Sequence, residues 1–203
     1  MEFITGTADA LPPGMLFELA HYRHRVFVQG LGWNLPARQR IELDEFDRRD
    51  TQYVIALDSK RRIVGTARLL STERPYLLQD VFPELLGGAR FPNSPQIWEL
   101  SRFAAMDLES TRLDPYRALA SPLALQLLEA AMCLAATCGA TQLISVSPPA
   151  IERILRAAGL RAQRAGPPVL VDREVLVACL LQVDTDWRAP VSSCVTRGER
   201  IAA

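Results

Sequence analysis

Residues 51–72 read TQYVIALDSKRRIVGTARLLST. Two runs rich in β-branched and aliphatic residues, TQYVIALD and RRIVGTARLLST, flank the polar pair Ser59-Lys60, the pattern of an antiparallel hairpin. Downstream, QIWELSRFAAM (96–106) has the aromatic and alternating content of a third strand. Upstream, a short strand fits 2–5. After Pro12-Pro13-Gly14, the residues Leu16, Leu19, Ala20, Arg23, Val26 and Phe27 recur at helical spacing. They predict a helix over 15–28, ended by Gly30 and Gly32. Residues 33–50 have no clean period and read as a loop, acidic around ELDEFD, and a short helix fits 77–86.

The second half is better punctuated. Ser121-Pro122 supplies an N-cap and a first-turn proline, and Gly139 closes that helix. LISVS (143–147) reads as a buried strand. Ser147 with Pro148 repeats the start signal and Gly159 the stop, and strand-like runs follow at 160–164 and 169–182. The last twenty residues read as loosely attached. The sum is an α/β chain: a single-domain three-layer α/β/α sandwich over 1–203, with a mixed, mainly antiparallel sheet.

Composition excludes several classes. The 203 residues are 49% hydrophobic and 23% charged, a globular balance. Acidic and basic residues number 23 each, which argues against bulk-charge binding to nucleic acid or to an anionic membrane. No apolar run reaches membrane-spanning length, and the first residues lack the basic start of a secretory signal, so a cytoplasmic protein is expected. Cys133, Cys138, Cys179 and Cys194 show no C-x-x-C spacing, and His21 and His24 are remote from them in sequence, so neither a metal site nor a disulfide framework is suggested. Of the 23 basic residues only Lys60 is a lysine; the rest are arginines. Most of that surplus is compositional, but arginine is also the better bidentate partner for carboxylates.

Charge interrupts the elements that otherwise read as core. Arg23 lies on the apolar side of its helix, with Phe27 one turn later and Trp33 beyond. Asp44 and Asp47 bracket Glu45-Phe46. Arg68 interrupts GTARLL, and Glu99 and Arg102 interrupt WELSRF. Glu99 and Arg102 are three apart on a strand, so they face opposite sides unless a bulge intervenes. Each position alone fits a solvated edge or a structural ion pair. Six together demand mutual pairing or a ligand, because buried charge is costly.

Arg23-x3-Phe27-x5-Trp33-x10-Asp44-x2-Asp47, then Arg68, Phe82 and Glu99-x2-Arg102, resembles the signature of the acyl-homoserine-lactone synthases, the LuxI-type makers of quorum-sensing signals. YRHRVFVQGLGW, DEFD, ARLL, PYLLQDVF and WELSRFA each resemble the matching family stretch. The resemblance implies a GNAT-like acyltransferase fold. It also implies a reaction of S-adenosylmethionine, a cosubstrate rather than a cofactor, with a fatty acyl thioester on acyl carrier protein or, less often, coenzyme A. The methionine amine is acylated, and its carboxylate then displaces methylthioadenosine to close the lactone. On that reading 1–105 is the S-adenosylmethionine-binding and catalytic half, and 106–203 serves the acyl chain and carrier protein.

The residue types suit such a substrate. Asp44 and Asp47 would meet its cations, Arg23 or Arg68 its carboxylate, and Phe27, Trp33 and Phe103 its ring and sulfonium. Acylation needs a neutral amine, hence a base: Glu99 through a water, with Asp44 second. Backbone N–H groups of 100–103 would receive the oxyanion. Arg102 would hold Glu99 or Asp47, or touch substrate. The resemblance places the acyl tunnel between the sheet and the long helix, with Phe82, Leu100, Met132, Ile144, Val146 and Leu155 as its lining. An apolar Ile144, where some members carry threonine, implies an unsubstituted chain. YRHRVF, GTARLL and YLLQDVF most resemble the synthases that use short or medium straight chains, which implies a butanoyl to octanoyl product, with octanoyl favoured. DPYRALASPL lacks the glycines of a pyrophosphate loop, which favours a carrier-protein donor. Arg112, Arg117, Arg153, Arg156, Arg161 and Arg164 are available to meet that acidic partner. Two other readings fit the same residues: a thioester-dependent N-acyltransferase for another amine, and a non-catalytic ligand sensor on the same fold.

Overall fold

The computed structural model describes residues 1–35, 37–109 and 121–187. Its centre is the hairpin of β4 (Gln52–Leu57) and β5 (Ile63–Ser71), paired from Gln52↔Leu69 to Leu57↔Ile63. Asp58 closes the connection by accepting from the N–H groups of Lys60 and Arg62, so the turn spans 58–62 rather than Ser59-Lys60 alone. β1 (Glu2–Thr7) adds antiparallel to β4, and β6 (Ile97–Ala105) adds antiparallel to β5. β7 (Gln142–Ser147) then lies parallel to β6, and β10 (Glu174–Gln182) runs antiparallel to β7. The order is β1-β4-β5-β6-β7-β10-β8, with β8 at Ala162–Arg164 and β9 (Val169–Val171) also on β10. The sheet is mixed and mainly antiparallel, as expected.

Helices cover both faces. α1 (Met15–Arg23) and α2 (Leu77–Val81) lie on one side. α3 (Pro122–Thr137) and α4 (Pro149–Ala157) lie on the other, where Leu127, Leu128 and Met132 pack on Val54, Ala67, Leu69 and Leu100, with Leu155 against them. Ser121 caps α3 by accepting the Ala124 N–H, as its sequence predicts.

Several boundaries differ from expectation for local reasons. After Arg23 the chain continues as a π-helical segment, His24–Gly30, a rare geometry associated with functional sites. The loop at 33–50 contains a small hairpin of β2 (Ala37–Arg38) and β3 (Ile41–Glu42). The helix expected over 77–86 breaks at Phe82 ahead of Pro83 and resumes as a 3-10 turn, Pro83–Leu86. Ser147 is no cap: it ends β7, its hydroxyl is buried without a partner, and Pro148 precedes the helix instead. The run at 169–182 is two strands joined at Asp172 and Arg173, both at positive φ as a tight hairpin turn requires. Of the terminus expected to be loosely attached, 188–203 lie outside the described residues, as do 114–120 of the glycine-free loop, while Trp187 donates its indole N–H to the Ala158 carbonyl. Among the described residues no helix is long and apolar enough to cross a membrane.

Candidate active site

Six side chains from four segments close into one buried ion network between α1, the 42–47 segment and the α1 face of the sheet. Arg23, fully buried at the end of α1, donates Nε to Glu42 Oε2 at 2.5 Å. Its Nη1 and Nη2 reach Asp47 at 2.7 and 3.0 Å. Arg68, fully buried on β5, donates Nη1 to Asp44 at 2.6 Å and Nε to Ser101 Oγ at 3.0 Å, and its Nη1 lies 3.2 Å from Asp47. Arg102 donates to Glu42 Oε1 through Nε and Nη2 and to Asp44 Oδ2 through Nη2 at 2.6 Å. Three guanidinium groups thus face three carboxylates, the arrangement buried charge requires.

DEFD folds onto itself to present those carboxylates. Asp44 accepts the Phe46 N–H, Asp47 accepts the Asp44 N–H, and Phe46 turns into the core beneath the Arg68 guanidinium. Burial raises the cost of ionising Asp47, but Arg23, and then Arg68, hold it well below the usual carboxylate range. For Glu42 the same burial is outweighed by Arg23 and Arg102. Burial, then Asp47, pushes the Tyr53 phenol up; its O–H donates to Asp47 at 3.0 Å.

The bulge that Glu99 and Arg102 needed is present. Pairing of β5 with β6 slips between Thr66↔Ala104 and Arg68↔Ser101, and Arg102 sits at φ 48, in the left-handed region. Ser101 and Arg102 therefore both reach the α1 face, while Leu100 and Phe103 pack on the α3 side. Glu99, fully buried, accepts the N–H groups of Leu77 at 2.6 Å and Leu78 at 3.1 Å. Burial raises its pKa to about 7 against the pull of those N–H groups and of Arg68 and Arg102. Arg102 does not hold Glu99 or Asp47; its acceptors are Glu42 and Asp44.

The structure gathers Arg23, Phe27, Trp33, Asp44, Asp47, Arg68, Glu99 and Arg102 on this face. Phe27 and Trp33 stack with ring centres 4.9 Å apart, Phe27 buried and Trp33 42% exposed. Phe103 is not among them, because it points through the sheet. The acyl-lining set also divides. Phe82, Ile144 and Val146 join Leu70, Leu78 and Ala178 on the α2 side, whereas Leu100, Met132 and Leu155 pack under α3. The β6–β7 ladder runs only from Ile97↔Gln142 to Glu99↔Ile144, so the strands part after Glu99 and Ile144.

Sequence reading missed Glu42, which ties Arg23 to Arg102, along with Tyr53 and Ser101. The signal for Glu42 was its place two residues before Asp44, the same-face spacing of an extended segment.

A family model described as autoinducer synthase matches residues 14–191. The chain belongs to the autoinducer synthase family. The synthase is 46% identical over 183 residues to an acyl-homoserine-lactone synthase of Acinetobacter nosocomialis, covering 90% of this chain and 100% of that one. It is similar in structure to TofI in a ternary complex with an inhibitor and MTA, at TM-score 0.77 and 42% identity over 92% and 94% of the two chains. It is also similar to BjaI, a CoA-dependent acyl-homoserine lactone synthase with SAM and isopentyl-CoA, at TM-score 0.82 and 26% identity over 96% and 92%. A putative N-acetyltransferase from Lactobacillus plantarum, at 17% identity and TM-score 0.54 over 89% and 97%, shares the fold. The sensor and the acyltransferase for another amine give way: the synthase is an enzyme that makes acyl-homoserine lactones.

Proposed function

We propose that the synthase joins S-adenosylmethionine to an acyl group carried on acyl carrier protein, by N-acylation and lactonisation with release of methylthioadenosine. The observation that carries this reading is the Nη2 of Arg68, a fully buried guanidinium nitrogen without a hydrogen-bond partner inside an otherwise paired cluster. Leaving such a donor unmet costs about 1–3 kcal/mol, a cost a substrate carboxylate removes. Arg23 has every nitrogen spent on Glu42 and Asp47, so Arg68 takes the methionine carboxylate. Phe27 and Trp33 receive the adenine ring or sulfonium. The presence of SAM or MTA in related complexes supports the same substrate.

Asp44 accepts from charged guanidinium groups and Glu99 only from neutral backbone N–H groups, which leaves Glu99 the better-placed base. With a pKa near 7 it is poised to take the amine proton through a water. Where β6 leaves β7, backbone N–H groups of 100–103 are the donors for the oxyanion. The acyl chain enters at that parting and lies against Phe82, Ile144 and Val146, with Leu100, Met132 and Leu155 behind the sheet. That apolar lining suits an unsubstituted chain, octanoyl favoured. Residues of both halves build it, so the division at 105 is one of emphasis. A carrier-protein donor would meet Arg153, Arg156, Arg161 and Arg164, of which Arg156 and Arg164 pair with Glu152; Arg112 and Arg117 lie outside the described residues.

The test is to incubate the protein with S-adenosylmethionine and octanoyl-carrier protein or octanoyl-CoA, across a chain-length series. Methylthioadenosine and octanoyl-homoserine lactone formed faster from the carrier-protein donor are the expected products. Preference for octanoyl-CoA overturns the donor, and another optimal chain overturns the length.

A further inference from the structure

Glu99 lies beside the ion network's arginines and is bonded to the acyl side through backbone. Its two oxygens accept from consecutive N–H groups, Leu77 and Leu78, on the segment that opens α2. That segment is also a wall of the apolar cluster: Leu78 is fully buried there, and Leu77 and Phe82 pack against the group containing Ile144 and Ala178. An ionised carboxylate satisfies both N–H groups. A protonated one turns an O–H toward a site that needs an acceptor and loses a bond.

We infer that the Leu77–Leu78 backbone is a positioning element of the reaction: it orients Glu99, sets how tightly that side chain holds a proton, and couples that hold to the acyl chain seated against Leu78 and Phe82. This rests on the assignment of Glu99 as base. The charged groups around Glu99 are Arg68 from β5, Arg102 from β6, Asp44, which shares both guanidinium groups, and Tyr76 and Asp80 on the α2 segment. The arginines favour the ionised form, as do the two N–H groups, and burial opposes them. Among the influences that favour the ionised form, the N–H groups alone belong to the segment that walls the acyl side. A chain that presses α2 toward β6 strengthens the ionised form, and one that leaves a gap weakens it. Acyl seating is thereby reported to the base before the amine is deprotonated.

Leu77→Pro isolates the contact. Leu77 is the first residue of α2, where proline is accommodated, and Tyr76 before it has φ −142 and ψ 161, the extended conformation that proline imposes on its predecessor. The change deletes the N–H bonded at 2.6 Å, and Leu77→Ala removes the same side chain while keeping that N–H. The Glu99 carboxyl is titrated by carbon-13 NMR, assigned with Glu99→Gln. In parallel, kcat/KM for methylthioadenosine release from S-adenosylmethionine and octanoyl-carrier protein is followed against pH. Leu77→Pro is expected to raise the Glu99 midpoint by about one pH unit relative to Leu77→Ala, with the acid limb of kcat/KM moving alongside. Equal midpoints in the two variants overturn the inference. A raised midpoint with an unmoved acid limb upholds the control of Glu99 and overturns its assignment as base. A measurement needing no folded variant is the wild-type midpoint with and without saturating octanoyl-carrier protein. A fall of about half a pH unit is expected, and no change overturns the coupling.

Discussion

Arg23 and Asp47 meet through two parallel N–H···O bonds of 2.7 and 3.0 Å between side chains 24 residues apart. The fork fixes the DEFD turn against the end of α1, and Glu42 takes the remaining Nε. Burial alone would disfavour the Arg23 charge, but Asp47 and Glu42 raise its affinity for the proton well above the ordinary value.

Arg23→Ala is expected to lower unfolding free energy by about 3–5 kcal/mol, because it strands two buried carboxylates. Arg23→Lys keeps the charge, loses the fork and falls between wild type and alanine. Urea denaturation reads both; wild-type stability in Arg23→Ala would show the network to be energetically idle.

Glu42→Gln should keep the fold but reduce kcat/KM about 10–100-fold, since Arg23 and Arg102 lose their shared charged acceptor and Arg102 is free to swing from Asp44. Steady-state kinetics with S-adenosylmethionine varied decides it, with circular dichroism confirming the fold. An unchanged kcat/KM would make Glu42 dispensable.

Stability is expected to slope in opposite directions on the two sides of pH 4.5. The Glu99 pKa is raised from 4.5 to about 7 on folding, so the stability it contributes is complete below 4.5 and lost as pH rises to about 7, on the order of 3 kcal/mol. Asp47 and Glu42 are lowered by folding, so their contribution is present above pH 4.5 and lost as pH falls. Melting temperature against pH is the measurement. Glu99→Gln should flatten the decline between 4.5 and 7 and leave the acid side unchanged, and a wild-type decline persisting in the variant would contradict the assignment.

Trp33→Ala should cost no more than about 1 kcal/mol of stability, because the indole is partly exposed and its main contact is the stack on Phe27. Its effect belongs to binding, raising KM for S-adenosylmethionine several-fold with kcat little changed. A stability loss without a KM change would reverse that assignment.

The sequence by itself determined the hairpin, the third strand, the long capped helix and the list of charges that had no place in a core. These signals are local: alternation, a Ser-Pro start, a guanidinium in an aliphatic run. DEFD was legible as residues but not as a device, because its turn is closed by Asp44 and Asp47 accepting backbone N–H groups only once Arg23 and Arg68 stand opposite. The faces of Glu99 and Arg102 were left open by their spacing, and a one-residue slip in pairing with β5 settled them. That slip also carried Phe103 to the far side and divided the acyl lining between two clusters. Glu42 was hidden in a loop because its meaning is its pair of partners, 19 and 60 residues away. Spacing along the chain can name which charges need partners. Only the register between strands decides which partners they find, since one residue of slip reverses the face of every side chain beyond it.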